Sequence, residues 1–276
     1  MRGALVYSPE GYALNQWFAD RLIASAAAHG LSLALKVLPC DWSDERPDFA
    51  IVRAIAPELS ADLEARGVRV FNNAVTSWVA NDKFRTYELA RELGLPVLPT
   101  EPLERPRTPS FGFPAVVKSR DGHGGEEVFL VSDLEELTRV FVATGKTNFI
   151  AQPLCDDPGK DMRLYAVGGE ARAAVLRTSR TDFRSNFKLG GDVEAVAPVD
   201  EQRRVVRRLH ERLGFDFVGV DFISHGGKWI LNEVEDVVGT RMLYATTALD
   251  AAALLMDRVF ERLRLQEGEG ACPARP

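Results

Sequence analysis

Three acidic residues inside a hairpin of apolar strands constrain this chain more than any other feature of its sequence. The segment VGVDFISHGGKWILNEVE, residues 218–235, reads as two β-strands joined at a Gly-Gly turn. Asp221, Glu233 and Glu235 interrupt its apolar stretches. A buried carboxylate is costly unless a positive group meets it. The chain must therefore fold so that these acids acquire a positive partner.

Strand pairing is expected to bring the three acids together. A turn around residues 226–228 makes Asp221 face Glu233 and Ile223 face Leu231, while Glu235 shares the face of Glu233. Like charges at this separation call for a bridging cation, and all-oxygen ligands favour magnesium or manganese over zinc. The alternative is an exposed polar hairpin face, which the flanking Val, Phe, Ile, Trp and Leu residues fit poorly.

The composition is that of a globular protein large enough for two domains or one large one, with 276 residues of which 46% are hydrophobic. A formal net charge of -6 argues against nucleic acid as a partner. No segment has the length of a membrane span, and the N-terminal apolar run is too short for a signal peptide. The three cysteines are far apart, which suggests neither a disulfide framework nor a zinc site and indicates a cytoplasmic location.

The order of strand and helix patterns predicts an open α/β layer followed by an α+β region with antiparallel hairpins. Strands alternate with helices over residues 1–75, where Asn15 is the expected N-cap of the first helix. One helix is predicted over residues 74–94, with Lys83 in its middle. The Gly/Pro-rich tail at residues 266–276 is expected to be disordered.

Two glycine-containing segments look like phosphate-binding motifs. Gly145-Lys146-Thr147 matches the end of a P-loop, but it lies between a helix and a strand, the reverse of the order that the motif requires. We therefore reject it. The GHGG segment at residues 122–125 joins two strands, whereas a dinucleotide fingerprint must open a helix. Both a plain hairpin and a loop whose backbone N–H groups cover phosphates remain open for GHGG.

The placement of basic residues favours phosphate binding. Only seven of the 34 basic residues are lysines, so a lysine in this chain suggests a need for a point charge, as at Lys83 and at Lys118 before the glycine loop. In addition, one short segment is rich in polar and basic residues: Arg177, Arg180, Arg184, Asn186 and Lys188. Next to an acidic metal site, such a cluster has the composition needed to hold phosphoryl oxygens, and a solvated loop is the alternative.

Over residues 68–250 the chain resembles the ATP-grasp ligases, specifically the RimK-like branch, which adds amino acids to carboxylates. The segments that carry the resemblance occur in the family's order: NDKFRTYELARELGLPVLPT, FPAVVKSRDGHGGEEVFLV, FIAQPL, GKDMRLYAVGG and DFRSNFKLGG. The resemblance implies an ATP-grasp fold preceded by an N-terminal open α/β (pre-ATP-grasp) domain. The implied bounds are 1–75 for the first domain and 76–265 for the ATP-grasp domain, with a lid-bearing subdomain at about 95–150 and a C-terminal subdomain at about 151–265.

The resemblance also implies a role for each matched residue. ATP would be bound by Lys83, Lys118, Gly122, Gly125, Gln152, Pro153, Leu154, Asp161, Arg184, Ser185 and Asn186, with the hinge at 152–154 on adenine and Asp161 on the ribose. A pair of magnesium or manganese ions would be held by Asp221, Glu233 and Glu235. The acyl phosphate would be held by Arg163, Arg177 and Arg184, and substrate by Arg241, Lys188 and Arg53.

The implied activity is an ATP-dependent carboxylate–amine ligase that forms an amide through an acyl phosphate. Its substrates would be small carboxylates and amines, with an amino acid, a peptide or a carrier-protein terminus as acceptor, and a homo-oligomer remains open. Two residues depart from the family's pattern, since Gln152 stands at a usual Glu and Glu235 at a usual Asn. A phosphotransferase on the same fold and a non-catalytic ATP-binding module are the alternatives.

Overall fold

The computed structural model describes residues 1–42, 46–184 and 191–269. Over these ranges the chain forms three β-sheets, which are packed with helices into one body. Three of the residues predicted to act at the site, Ser185, Asn186 and Lys188, lie outside the described ranges. The last helix continues to Glu269, so the tail expected from residue 266 begins within a helix, and residues 270–276 lie outside the description.

The first sheet is parallel, with its strands in the order β2-β1-β3-β4. Its elements are β1 (Arg2–Tyr7), α1 (Pro9–Ala28), β2 (Ser32–Val37), β3 (Phe49–Arg53), α2 (Pro57–Ala65) and β4 (Arg69–Phe71). All of β3 is buried, as expected for a parallel strand with apolar clusters on both faces. The alternation of strands and helices predicted for this region is confirmed.

The start of α1 differs from the prediction. Ser8, rather than Asn15, is the N-cap, and its Oγ accepts a hydrogen bond from the Gly11 N–H at 2.9 Å. Pro9 at the first helical position suits this cap, because its fixed φ is helical and its missing N–H would have no partner there. Asn15 instead lies at a kink inside the helix, with φ -129° and ψ 22°, and its Nδ2 donates to the Gly11 carbonyl at 2.9 Å.

The single helix predicted over residues 74–94 is wrong. Two helices occupy this segment, α3 (Ala74–Ala80) and α4 (Lys83–Glu92), because Asp82 caps the second one. The Asp82 carboxylate accepts from the N–H groups of Phe84 at 2.8 Å and Arg85 at 3.2 Å. Lys83 is therefore the first residue of α4 rather than a mid-helix residue, and its own N–H donates to the Arg120 carbonyl at 3.0 Å.

The second sheet is antiparallel, with its strands in the order β5-β8-β6-β7. Its elements are β5 (Glu101–Leu103), β6 (Ala115–Ser119), β7 (Val128–Val131), α5 (Leu134–Thr144) and β8 (Phe149–Pro153). Helix α5 begins after its N-cap Asp133 and packs Leu137 and Phe141 against one face. The opposite face presents Val116, Lys118 and Gln152 to a cleft.

The third and largest sheet is also antiparallel, with its strands in the order β11-β10-β9-β12-β13. Its elements and the helices around it are β9 (Lys160–Val167), β10 (Glu170–Thr178), β11 (Asp192–Val196), α6 (Asp200–Leu213), β12 (Phe217–His225), β13 (Lys228–Glu235), α7 (Arg241–Thr246) and α8 (Ala251–Glu269). Helices α4 and α6 cover one face, and α1, α7 and α8 cover the other. The first and third sheets thus share one apolar core.

The hairpin of β12 and β13 contains a bulge that the sequence did not reveal. Asp221 does face Glu233, as predicted, but Phe222 faces Leu231 and Ile223 faces Ile230, so the predicted pairing of Ile223 with Leu231 is wrong. The register shifts because Asn232 is an extra residue in β13. A bulge of this kind alters the strict in–out alternation of side chains along the strand.

Asn72, immediately after β4, joins the first sheet to the third. Its buried Oδ1 accepts from the N–H groups of Asp216 at 2.6 Å and Phe217 at 2.8 Å. Its Nδ2 donates to the Phe217 carbonyl and to the Asp236 carboxylate, each at 2.7 Å. One amide therefore satisfies polar groups at the start of β12 and just after β13.

We expect Asn72→Ala to lower the free energy of unfolding by about 2–4 kcal/mol, because it leaves several buried polar groups without partners. Chemical denaturation monitored by circular dichroism measures the change. The control is Gln16→Ala, which removes an exposed amide and should change stability by less than about 0.5 kcal/mol. Equal stability of the two variants would contradict the role given to Asn72.

Candidate active site

A cleft of about 390 Å³ lies between the second and third sheets and extends to the loops of the first. Most residues predicted to act at the site line this cleft: Lys83, Lys118, Gly122, Gly125, Gln152, Pro153, Leu154, Asp161, Arg163, Arg177, Arg184, Glu233, Glu235 and Arg241. The fold thus collects residues that are up to 158 positions apart in sequence, from Lys83 to Arg241.

Asp221 has two arginines as its positive partners. It is fully buried on β12, directly opposite Arg163 on β9. Arg163 donates to it through Nε at 2.8 Å and Nη2 at 2.7 Å, and Arg177 of β10 donates through Nη2 at 2.7 Å. A bidentate guanidinium–carboxylate pair is among the stronger hydrogen-bonded contacts in proteins. The positive charge required by the hairpin is therefore supplied, at least at Asp221, by the protein itself.

The ion pairs continue on both sides of Asp221. Arg177 lies opposite Asp161 in the β9–β10 register and donates to both of its carboxylate oxygens, through Nη2 at 2.6 Å and through Nε. Arg163 also donates to Glu235 at 2.5 Å. The result is an alternating chain of acid and base that crosses four strands, which we call the charge chain: Asp161, Arg177, Asp221, Arg163 and Glu235.

The charge chain sets opposite protonation tendencies for two neighbouring acids. Burial alone would raise the pKa of Asp221, but Arg163 and Arg177 outweigh it and bring that pKa to about 2. Burial raises the pKa of Glu235 to about 7, against the opposing effect of Arg163 and with the help of Asp221 and Glu233. Burial also disfavours the charged form of Arg163, yet Asp221 and Glu235 raise its pKa. Asp221 is thus held ionised, while Glu235 is the acid nearest to neutrality.

The three acids of the hairpin fit a divalent cation. Asp221, Glu233 and Glu235 each offer one carboxylate oxygen, and these oxygens lie within 4.8 Å of one another. Carboxylate oxygens are the ligands that magnesium and manganese prefer. Both oxygens of Asp221 already accept from guanidinium groups, so Glu233 and Glu235, whose side chains are 25% and 28% exposed, are the more accessible ligands.

The two lysines contact the bulge residue and the residue that follows it. Lys118 donates to the Asn232 Oδ1 at 2.9 Å, and the Lys83 Nζ lies 3.6 Å from a Glu233 oxygen. The bulge separates the consecutive residues Asn232 and Glu233 in the strand register, and each of them has a lysine as its partner. Burial lowers the pKa of Lys118, and the nearby Lys83 adds to this, although Glu233 opposes it. Sequence reasoning missed Asn232, whose one signal is its polarity within an apolar run.

The glycine loop, residues 120–127, joins β6 to β7 and is contacted by two of the predicted phosphate ligands. Lys83 donates to the Gly122 carbonyl, and the Arg184 Nη1 donates to the Gly125 carbonyl at 3.0 Å. Arg184 also pairs with Asp182 at 2.7 Å. His123, which was not singled out in the sequence, lies in the cleft at the tip of this loop.

The predicted hinge residues and Arg241 also line the cleft, whereas Arg53 does not. The Gln152 Nε2 donates to Thr100 Oγ1 at 2.8 Å, and Pro153 and Leu154 line the cleft next to it. Arg241, which also lines the cleft, begins α7 and donates to the Leu14 carbonyl. Arg53 is not among the residues that line the cleft, because it is buried and donates to the Val238 carbonyl at 2.7 Å.

Comparison with known proteins assigns the family. The model of the RimK-like ATP-grasp domain matches residues 104–259, which is more than half of the chain. The chain belongs to the RimK-like ATP-grasp domain family. The resemblance drawn from the sequence is therefore confirmed.

Curated relatives of this RimK-like chain include named ligases. N-acetylaspartylglutamate synthase A of Mus musculus is 29% identical over 87% of this chain and 68% of its own length. A probable alpha-L-glutamate ligase of Parasynechococcus marenigrum is 28% identical over 78% of this chain and 49% of its own length. The chain spans about half to two thirds of the length of the curated relatives it matches.

Solved structures confirm the ATP-grasp fold. D-alanine--D-alanine ligase from Bacillus anthracis, complexed with ATP, matches 98% of this chain and 100% of its own with a TM-score of 0.74 at 18% identity. A RimK domain protein from Sphaerobacter thermophilus matches 94% of this chain and 99% of its own with a TM-score of 0.71 at 21% identity. Separately, no helix among the described residues is long and apolar enough to cross a membrane.

The two arginines Arg177 and Arg184 should differ sharply in their effect on stability. Arg177→Met leaves Asp161 and Asp221 buried with less compensation, so we expect the free energy of unfolding to fall by about 3–5 kcal/mol. Arg184→Met removes a partly exposed pair and should cost at most about 1 kcal/mol. Urea denaturation of the two variants and the wild type measures both effects. Equal losses would mean that the charge chain is not a stabilising unit.

Proposed function

We propose that this chain is an ATP-dependent ligase that joins a carboxylate to an amine, with an amino acid as one of the two substrates. One observation carries the proposal: a single cleft in an ATP-grasp fold is lined by two lysines, two fixed arginines and the carboxylates of Glu233 and Glu235, which converge with the buried Asp221. Cations and metal ligands around a transferred phosphate are what phosphoryl transfer requires. The ligase activities named for the curated relatives support the same class of reaction.

The proposed division of the chain follows the cleft. We assign residues 1–75 to an N-terminal domain and residues 76–265 to the ATP-grasp domain, whose subdomains at about 95–150 and 151–265 form opposite walls. The second sheet supplies the glycine loop and Lys118, and the third supplies the charge chain and the acids. ATP would lie between them, with adenine at Gln152, Pro153 and Leu154.

The phosphates would extend from the hinge toward Glu233. Lys118 and Lys83 would neutralise them, since both ammonium groups lie in the cleft on the side of the acids. The backbone of the glycine loop, with Gly122 and Gly125, would cover them, and Arg184 would join from the far side. Asp161 is engaged by Arg177 through both oxygens, so fixing this arginine is a task of Asp161 beside any contact with the ribose.

Asp221, Glu233 and Glu235 would hold magnesium or manganese, and we propose a pair of ions. The cation would neutralise charge on the β- and γ-phosphates when bound. Glu235 stands where the family has Asn, so it adds a negative charge to the ligand set. Because burial raises its pKa to about 7, protonation of Glu235 would compete with cation binding near neutral pH.

Arg163 and Arg177 would hold the reacting acyl group. In each guanidinium, Nε and Nη2 donate to carboxylates of the charge chain, and Nη1 makes no hydrogen bond to any of the described residues. One edge of each group is thus fixed, and one donor remains for the substrate. A donor held in place before the reaction stabilises developing negative charge without a cost of reorganisation.

The reaction itself needs no protein nucleophile. A substrate carboxylate oxygen attacks the γ-phosphorus, the bond to the β-phosphate oxygen breaks, and ADP leaves. The amine nitrogen then attacks the acyl carbon, and inorganic phosphate departs as the amide forms and the nitrogen loses its proton. Catalysis by the protein consists of positioning and electrostatic stabilisation. Arg241, which lines the cleft and follows the acids in sequence, is our candidate for binding a substrate carboxylate.

We expect ADP release to require a carboxylate and to rise when an amine is added. The test is a matrix of amino acids, alone and in pairs, with coupled detection of ADP and mass spectrometry of the products. An amide product with one equivalent of ADP would support the ligase. Equal ADP formation with alcohols and a phosphate ester as product would identify a phosphotransferase instead, and ATP binding without turnover would identify a binding module.

Magnesium should distinguish the three acids. Without magnesium, Glu233→Gln should raise the melting temperature, because it removes one of three converging like charges, and it should abolish both turnover and the rise in melting temperature on adding magnesium. Glu235→Asn should keep turnover but need more magnesium, since an amide oxygen ligates without charge. Titrations of turnover and melting temperature measure both effects. Identical titrations for the wild type and both variants would show that these acids bind no metal.

A further inference from the structure

Lys146 belongs to the segment that looks like a P-loop and is not one, and the structure gives it a definite place. It follows Gly145, which ends α5 in the left-handed conformation with φ 65°. From there its side chain reaches back to the glycine loop. The Nζ lies 2.8 Å from Glu127 Oε2, 3.2 Å from Asp121 Oδ1 and 3.3 Å from Ser119 Oγ.

These partners stand at the two ends of the loop. Ser119 and Asp121 precede the first glycine of the GHGG segment, and Glu127 follows the last. The Ser119 Oγ also donates to Asp121 Oδ1 at 2.5 Å, and the Ser119 N–H donates to the Glu127 carbonyl at 3.1 Å. We call the two ends of the loop, residues 119–121 and residue 127, its stem. One ammonium group joins the two sides of the stem by binding a carboxylate from each.

Gly122 shows how tightly the stem is packed. A Cβ at this position would lie 2.8 Å from Glu127 Oε2 and 3.1 Å from the Ser119 Cβ, closer than side chains normally approach. The Glu127 carboxylate that Lys146 holds thus occupies the space that a side chain at residue 122 would need. Burial would raise the pKa of Asp121, but hydrogen bonds from Ser119, Asn148 and Lys146 bring it to about 2, so the stem stays charged at neutral pH.

The tip of the same loop faces the cations proposed for the phosphates. Lys83 donates to the Gly122 carbonyl and Arg184 to the Gly125 carbonyl. Lys146 is outside this set, since it does not line the cleft. Lys146 instead holds the stem in place. The stem in turn sets the position of the loop backbone relative to Lys83 and Arg184.

We propose that Lys146 is a positioning residue for the glycine loop, which it holds over the nucleotide phosphates by joining Asp121 to Glu127. This inference rests on the proposed function, because the loop matters only if the cleft binds a nucleotide. Removal of the ammonium leaves two carboxylates facing each other across the stem. Their repulsion opens the loop and weakens nucleotide binding, with no change in the residues that touch the nucleotide.

The test measures the binding of a non-hydrolysable ATP analogue with magnesium by calorimetry, and hydrogen exchange of residues 119–127. We expect Lys146→Met to raise the Kd about 5- to 30-fold, the range that follows from a change of one or two kcal/mol, and to speed exchange in the loop. Lys146→Arg should restore most of the affinity, since it keeps the charge. The control is Lys228→Met, an exposed lysine next to the β12–β13 turn, which should leave both measurements unchanged.

A double variant separates positioning from a general structural effect. Lys146→Met combined with Glu127→Gln removes the repulsion as well as the cation, so it should bind the analogue more tightly than Lys146→Met alone. Unchanged affinity in Lys146→Met, or lost affinity with faster exchange throughout the chain and no recovery in the double variant, would overturn the inference. Wild-type protein that fails to bind the analogue would overturn the proposed function as well, and the two failures are thereby distinguished.

Discussion

Two arginines held in a fixed, charged state within a β-sheet are the constraint on which the rest of this cleft depends. A guanidinium removed from water needs partners for its donors and its charge, and for Arg163 and Arg177 these are Asp221 and Asp161, their neighbours in the sheet register. The strand order β10-β9-β12-β13 places both arginines next to these acids. A sheet in which β9 did not separate β10 from β12 would leave these charges unmatched.

The sequence was sufficient to predict the local half of this arrangement. The pairing of Asp221 with Glu233 depends on a turn and an alternation within 18 residues, and it is confirmed. The partners of Asp221 were not predictable in the same way, because Arg163 and Arg177 lie on strands about 60 and 44 residues away. Nothing in periodicity specifies which strands become neighbours. From the sequence, a metal is therefore expected to supply all of the positive charge, whereas two arginines of the protein meet Asp221.

Two helix boundaries were predicted wrongly although the sequence contains a good N-cap at each, because the helical periodicity was given more weight. Asp82 is a good N-cap within a continuous helical pattern, and it divides the expected helix in two, which places Lys83 at a helix start beside the glycine loop. Ser8 and Pro9 are likewise a favourable N-cap and first helical residue, and they start α1 before the predicted cap Asn15. The bulge at Asn232 had no comparable signal in the sequence. A one-residue change of register depends on how both strands pack, and it is not visible in the alternation of apolar and polar residues.

The bulge has a consequence for how this hairpin can change in evolution. With a two-residue turn at Gly226 and Gly227, regular pairing would set position 232 opposite Asp221, so loss of Asn232 would bring the following glutamate into that place. The acid pair is therefore independent of whether residue 232 exists. The extra residue is a separable addition, and it gives Lys118 a neutral partner of its own. Hairpins with and without this residue would keep the same pair of acids and differ in how they hold one lysine.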